Sequence, residues 1–400
     1  MHNNVIIMGS RGYTKNYGGW ETLVHGMLDN WKDPNTSFYV VEVADKADEE
    51  KYIVHNNVQC IRIFPKDTGK MQMLKMEVST LKELPKIIDR YHIDNPILYV
   101  LGMRVSAYFL LKKGKLRSLG ATIVANSDGV GWKRGKYSFA QKTYSNINAW
   151  IAHNFVMDYL VADAKEMKRI VLSRQLPWRR KVPTRVIYYG TNEAPILPEK
   201  MPETVKEYFD AHGIVEDKYY LIINRLVPEN SYELILKQFI ESKTNCDFVI
   251  VTNHEKEKAF YERLKAEIPF EQDKRVKFVG TVYDKDILAW LRQKARGYIN
   301  GHTLGGTNPG LLEALATTNV NLIRDCPFSR EGAADLGFYF DEEHPLSEAI
   351  AKTDSMSYEE RKALGDKAKE RMKALFSWDY VNSRYIDLFD EISEKRGSKK

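Results

Sequence analysis

The chain has 400 residues, 43% of them hydrophobic and 28% charged, with a net charge of +6; that length exceeds one ordinary core and suits two α/β domains, and the composition is that of a folded chain. No apolar run approaches the roughly 18–20 residues that span a bilayer, and the start, MHNNVIIMGS, lacks the basic segment and long apolar stretch of a signal peptide. The cysteines Cys60, Cys246 and Cys326 are too widely spaced for a metal site or a disulfide framework, so a reducing, cytoplasmic setting is expected.

In chain order, apolar runs read as buried strands at 4–9, 38–43, 97–102, 121–126, 158–163 and 185–190, with helical patterns such as 73–91 between them. Such alternation argues for a parallel sheet with helices on both faces. Residues 191–203 carry three prolines and no periodicity and read as a linker. Strands then resume at 219–225, 246–253, 276–281, 296–302 and 319–324. The expected architecture is therefore α/β, with two Rossmann-like doubly wound domains facing a cleft that binds ligands at the carboxyl ends of the strands. Domains are expected at 1–195 and 196–375, and a tail, 376–400, is expected to pack back toward the first. In that tail Trp378, Val381, Tyr385, Leu388, Phe389 and Ile392 recur at the spacing of a helix with one buried face.

The basic residues are unevenly placed: LKKGKLR (111–117), WKRGK (132–136) and RQLPWRRKVPTR (174–185) all lie in the first half. Each is either a solvated face or a contact for an anionic membrane surface, since polybasic segments containing Trp suit lipid headgroups. Nucleic acid is not expected, because no recognition motif accompanies the charge.

Two loops carry the chemistry. GSRGYTKNYGGWE (9–21) follows the first strand and opens a helix, whose free N–H groups and dipole favour an anion. Gly18 and Gly19 let the backbone approach a ligand closely. The spacing is not the G-x-G-x-x-G of dinucleotide binders, so no nicotinamide cofactor is expected. In GHTLGGTNPGLLEAL (301–315), Gly305, Gly306, Thr307 and Asn308 form a loop and Pro309 suits a first helical turn. That helix start can face a diphosphate, and Glu313, one turn further in, can accept hydrogen bonds from ribose hydroxyls. Arg225, just past a strand, offers a fixed cation for the same diphosphate. Glu229 either stabilises positive charge on a sugar ring or caps the helix near Ser231. His302 stands beside the diphosphate loop and can donate to phosphate or sugar. His153 is read as a packed structural histidine, and the Asp-Lys-Asp of 284–286 as a helix cap rather than a metal site.

This second loop, together with YGGWE (17–21), NSDGVGWKR (126–134) and NRLVPEN (224–230), resembles the retaining glycosyltransferases of family 4, which have the two-domain architecture called GT-B, and in particular their bacterial rhamnosyltransferase branch. The resemblance spans nearly the whole chain. It departs from the wider family at Gly305, where a Glu is usual, and at Glu229–Asn230, near which a Lys is usual; both departures look like features of the branch. The resemblance implies transfer with retention, no metal and no cofactor, and a nucleotide diphosphate sugar donor, dTDP-rhamnose first. It implies an acceptor glucose or GlcNAc on a lipid diphosphate at the inner face of a bacterial membrane. Asp128 would then contact the acceptor or help activate its hydroxyl, against the plainer reading of an Asp-Gly turn. Trp132, Lys133 and Arg134 would hold the acceptor pyrophosphate, or else be solvated. Two other functions fit the same residues: a sugar-nucleotide epimerase of the same architecture, and a non-catalytic sugar-nucleotide or membrane-binding protein.

Overall fold

A computed structural model of the chain describes residues 2–15, 18–66, 69, 71–126, 131–133, 138–179 and 181–397. It divides into two compact units, residues 1–190 with 378–400, and residues 191–377. The described residues form fourteen strands: β1 (Asn3–Met8), β2 (Thr36–Val43), β3 (Tyr52–His55), β4 (Val58–Ile63), β5 (Ile97–Leu101), β6 (Thr122–Asn126), β7 (Tyr159–Ala162) and β8 (Thr184–Val186) in the first unit, and β9 (Tyr219–Ile223), β10 (Asp247–Val251), β11 (Val276–Phe278), β12 (Gly297–Asn300), β13 (Asn321–Arg324) and β14 (Phe338–Phe340) in the second.

The first sheet runs β3-β4-β2-β1-β5-β6-β7-β8. It is parallel except at one edge, where β3 pairs antiparallel with β4. That departs from the all-parallel expectation, and the cause is local. Asn56 and Asn57 both adopt positive φ, 48° and 64°, which is the two-residue hairpin turn that asparagine tolerates. Two further expectations change. The run 185–190 yields a strand only over Thr184–Val186, and β3, β4 and β14 have no counterparts among the expected strands.

The second sheet, β11-β10-β9-β12-β13-β14, is parallel throughout. Its strands are apolar on both faces because each face builds a separate core. In β9, Tyr220 and Ile222 join Phe248, Ile250 and Ile299 on one side. Tyr219 and Leu221 join Val249, Val251 and Tyr298 on the other.

In each sheet the strand order reverses beside the first strand. The chain winds outward from β1 through β2 and β4, then returns to place β5 on the opposite side; β9 and β12 repeat this in the second unit. Such reversal points open a crevice at the strands' carboxyl ends, where α/β sheets bind ligands.

The helix Trp378–Gly397 completes the first unit. All six of its periodic apolar residues are buried. Tyr385 shares a 2.6 Å hydroxyl hydrogen bond with Tyr99 of β5, and Asn382 Nδ2 donates to Met27 O at 3.0 Å. The Trp378 indole lies so close to Gly26 and Gly190 that a Cβ on either would come within 1.8 and 2.3 Å of it. No helix among the described residues is long and apolar enough to cross a membrane.

Candidate functional site

The reversal point of the second unit gathers most of the residues singled out in its sequence. After β9 the chain passes Asn224 and Arg225, buries Leu226, and makes a 3-10 turn, Pro228–Asn230, before the helix Tyr232–Ile240. After the neighbouring β12 come Gly301, His302 and the glycine loop, which ends at the helix Pro309–Thr317. The two loops are tied together. Thr303 donates to Glu229 O through its backbone N–H at 3.0 Å and its hydroxyl at 3.1 Å. Gly301 passes so near that a Cβ there would lie 2.0 Å from Asn230 O; only glycine fits this crossing.

Asn230 is the pivot. It is buried, its Nδ2 donates to Arg225 O at 2.7 Å, and its Oδ1 faces His302 Nδ1 at 2.9 Å. Because the amide nitrogen is spent on Arg225, the oxygen must face the histidine, and Nδ1 carries the proton. In the neutral ring Nε2 is then an acceptor. At Nε2 the neutral ring accepts a hydrogen bond and the protonated ring donates one, so the donation to phosphate or sugar expected from sequence falls to the protonated ring. Gly305, at φ +121°, lies against that same nitrogen, 3.5 Å from the position of its missing Cβ.

Glu229 does not cap the following helix. That helix begins from Ser231, in the left-handed conformation and without a side-chain cap. Both Glu229 carboxylate oxygens are shut off from solvent and have no hydrogen-bond partner among the described residues. A carboxylate left so in a folded protein is unfavourable, and a ligand that supplies a partner offsets that cost. Nearby, the Asn224 Nδ2 is also buried and unpartnered. Arg225 is exposed, with no ion pair among the described residues.

Asn308 accepts from Leu311 N at 3.0 Å and so caps the helix Pro309–Thr317, with Pro309 in its first turn. Gly306 and Thr307 lead into that start. Glu313 is not free: Arg292 Nη2 donates to one of its oxygens at 2.5 Å, which leaves the other to accept. Asp284 caps the helix Lys285–Lys294 through Asp286 N and Ile287 N, as its sequence position implies. No group of three or more His, Cys, Asp or Glu suited to a metal occurs among the described residues.

In the first unit, Gly9 follows β1 at φ +98°, where a Cβ would collide with Leu101 O at 2.2 Å. Arg104, past the end of β5, straps this loop: its Nη1 donates to Gly9 O and to Glu77 Oε1, both at 2.8 Å. Glu77 is fully buried, and burial pushes its carboxyl up to about 7 against the pull of Arg104. Gly18 and Gly19 are exposed at the start of the helix Gly19–Asp29. An anion already stands there. Glu21, buried in the first turn, accepts from Arg11 N at 2.7 Å and reaches within 3.5 Å of where a Gly18 Cβ would stand. Trp132, in the 3-10 turn Gly131–Lys133, stacks under the Arg174 guanidinium at 4.2 Å. Asp128, Arg134 and the Lys133 side chain lie outside the described residues. His153 is packed, and burial pulls its imidazole down to about 4.

Sequence reasoning missed Asn230, Arg292 and the Arg104–Glu77 pair. Arg104 carried a readable signal, since it follows a strand end as Arg225 does. The other two act through partners far away in the chain.

A family model described as Domain of unknown function (DUF1972) matches residues 2–192. No curated protein sequence matches the chain. Solved structures are similar over both units. Sucrose-phosphate synthase from Thermosynechococcus elongatus shares 15% identity with a TM-score of 0.77, over 99% of this chain and 100% of its own. A glycosyltransferase from Rickettsia africae shares 14% at 0.72, over 98% of each chain. Anabaena HepE, solved with UDP-glucose, shares 13% at 0.67, over the whole of both. At these identities the likeness defines the fold, which is the GT-B architecture of two Rossmann-like domains.

Proposed function

We propose that this chain is a glycosyltransferase that moves a sugar from a nucleotide diphosphate donor to an acceptor hydroxyl, using the reversal point between β9 and β12 as its donor site. The observation that carries the reading is Glu229: a carboxylate with both oxygens buried and unpartnered, beside a histidine oriented by Asn230 and a helix N-terminus. Such a carboxylate is costly unless a ligand completes it. A sugar whose anomeric carbon gains positive charge during transfer is that kind of ligand.

In this mechanism the bond from the anomeric carbon to the diphosphate oxygen breaks, the acceptor oxygen bonds to the same carbon on the face just vacated, with retention, and the acceptor's hydroxyl proton passes to the departing diphosphate oxygen. Arg225 and the start of the helix Pro309–Thr317 receive the charge of the departing diphosphate, which removes the need for a metal. Gly305 and Gly306 let the backbone approach the phosphates, and the free oxygen of Glu313 accepts from ribose. His302 Nε2 holds a sugar hydroxyl. The acceptor binds near Gly18, Gly19, Asp128 and the Trp132–Arg134 segment. HepE carries UDP-glucose, and the motif resemblance favours dTDP-rhamnose, with glucose or GlcNAc on a lipid diphosphate at the inner membrane face as acceptor.

The test is incubation of the full chain with a panel of nucleotide sugars, lipid diphosphate–glucose or –GlcNAc and EDTA, read by mass spectrometry. A gain of one deoxyhexose from dTDP-rhamnose alone, undiminished by chelator, is the expected result. Undiminished transfer by Glu229→Gln would overturn the assignment of the site. An altered nucleotide sugar formed without acceptor would make the chain an epimerase.

A further inference from the structure

The helix Phe139–Ile151 is turned inside out. It has no fully buried residue, and four of the positions that it packs against the protein are polar or small: Lys142, Ser145, Asn148 and Ala149 are half-buried, with Ile151 at its end packed on the core. Asn148 fastens this side, donating to Met103 O and accepting from Ser106 N, both at 2.8 Å. The opposite side carries Phe139 at 87% exposure, Ile147 at 54% and Trp150 at 38%. Positions 139, 143, 147 and 150 form one stripe along a helix. An apolar stripe is normally the face that a helix buries; here it is the face left outside.

Charge says what covers it. The neighbouring helix Ser106–Ser118 exposes Leu111 at 80%. Neither helix contains an acidic residue, whereas the helix Ser106–Ser118 carries Lys112, Lys115 and Arg117; Lys113 is turned inward, donating to Phe155 O and Val156 O, and it and Arg117 face Asp158 at 3.4 and 3.5 Å. Trp178, 78% exposed, adjoins Arg179, whose guanidinium lies 4.6 Å from the Phe155 ring, itself 5.3 Å from the Trp150 ring. A second copy docked on this face would set like charges against each other. A bilayer with anionic headgroups accepts apolar side chains at its acyl boundary and cations just above it.

We infer that this stripe is a docking surface for an anionic lipid bilayer, with Phe139, Ile147 and Trp150 inserting and the flanking lysines and arginines meeting the headgroups. The inference deepens the proposed lipid-linked acceptor, but its readout needs neither donor nor acceptor, so each reading can fail without the other.

The experiment is cosedimentation of the full chain with vesicles of phosphatidylcholine, and of phosphatidylcholine mixed with phosphatidylglycerol, at low and high salt. Binding to the mixed vesicles that weakens with salt is expected. The variant Phe139→Ser/Ile147→Ser/Trp150→Ser should bind them about tenfold or more weakly. Tyr283→Ser, which removes an aromatic ring 86% exposed in the second unit, should bind as the parent does. If the triple variant melts early, Phe139→Ser alone, at the most exposed position, serves in its place with a severalfold loss. Absence of binding to the mixed vesicles, equal binding by the variant, or a dimer in solution that the variant dissociates would overturn the inference.

Discussion

Replacing Asn230 with alanine tests whether the turn after β9 and the loop after β12 act as one device. The change deletes two buried hydrogen bonds, to Arg225 O at 2.7 Å and to His302 Nδ1 at 2.9 Å. Each contributes about 1 kcal/mol net, and the carbonyl of Arg225 is left short of a donor, so the expected loss is about 2–3 kcal/mol. For a unit of this size that corresponds to a fall of about 4–12 °C in its unfolding midpoint. The backbone tie from Thr303 to Glu229 survives, so the unit still folds, while the His302 ring loses the bond that Asn230 makes to its Nδ1. Transfer should therefore slow about a hundredfold while nucleotide diphosphate binding changes little. Calorimetry with and without the nucleotide, followed by transfer kinetics, measures both. A midpoint within about 1 °C of the parent and an unchanged rate would refute the claim that Asn230 aims the histidine.

Three further outcomes are expected. Arg225→Ala removes an exposed, unpaired cation, so donor KM should rise about tenfold while stability stays within about 0.5 kcal/mol. Glu77, its carboxyl raised from 4.5 to about 7 by burial, binds its proton more tightly folded than unfolded. Its contribution is complete below about pH 4.5 and is lost as pH rises through about 7, for a decline of about 3 kcal/mol in the first unit; denaturant midpoints across that window should show the slope, and Glu77→Gln should flatten it. Trp378→Ala should destabilise the first unit by about 3–5 kcal/mol, read as an early transition in the same calorimetry, because the indole fills the space that Gly26 and Gly190 leave open.

Much of the fold was legible because its strands are apolar on both faces. Runs such as ILYVLG and YYLII stand out whatever their neighbours do, and the tail helix shows its six core contacts in its periodicity. What stayed hidden depends on partners distant in the chain. Tyr52–His55 is a half-exposed edge strand whose apolar run, Tyr52–Val54, is only three residues long. Asn230 sits in a motif noticed for another reason, yet its bond crosses to a loop 72 residues on. Glu229 left two roles open in sequence, and only the absence of a capping contact separates them. The stripe Phe139–Trp150 follows the pattern of a buried helix face, so sequence alone would place it in the core.

The helix Trp378–Gly397 gives the first unit an unusual history. Tyr385 and Trp378 occupy interior positions beside β5 and the helix Gly19–Asp29, yet they are synthesised after the whole of residues 191–377. At ribosomal rates of about 5–20 residues per second, the first unit waits about 10–40 s for its last piece. The second unit, continuous in sequence, can finish first. During that interval the apolar bed awaiting the tail stands open. A nascent chain of this design depends on what shields that bed, and stalling or cleavage just before residue 378 would leave the earlier-made unit, rather than the later one, incomplete.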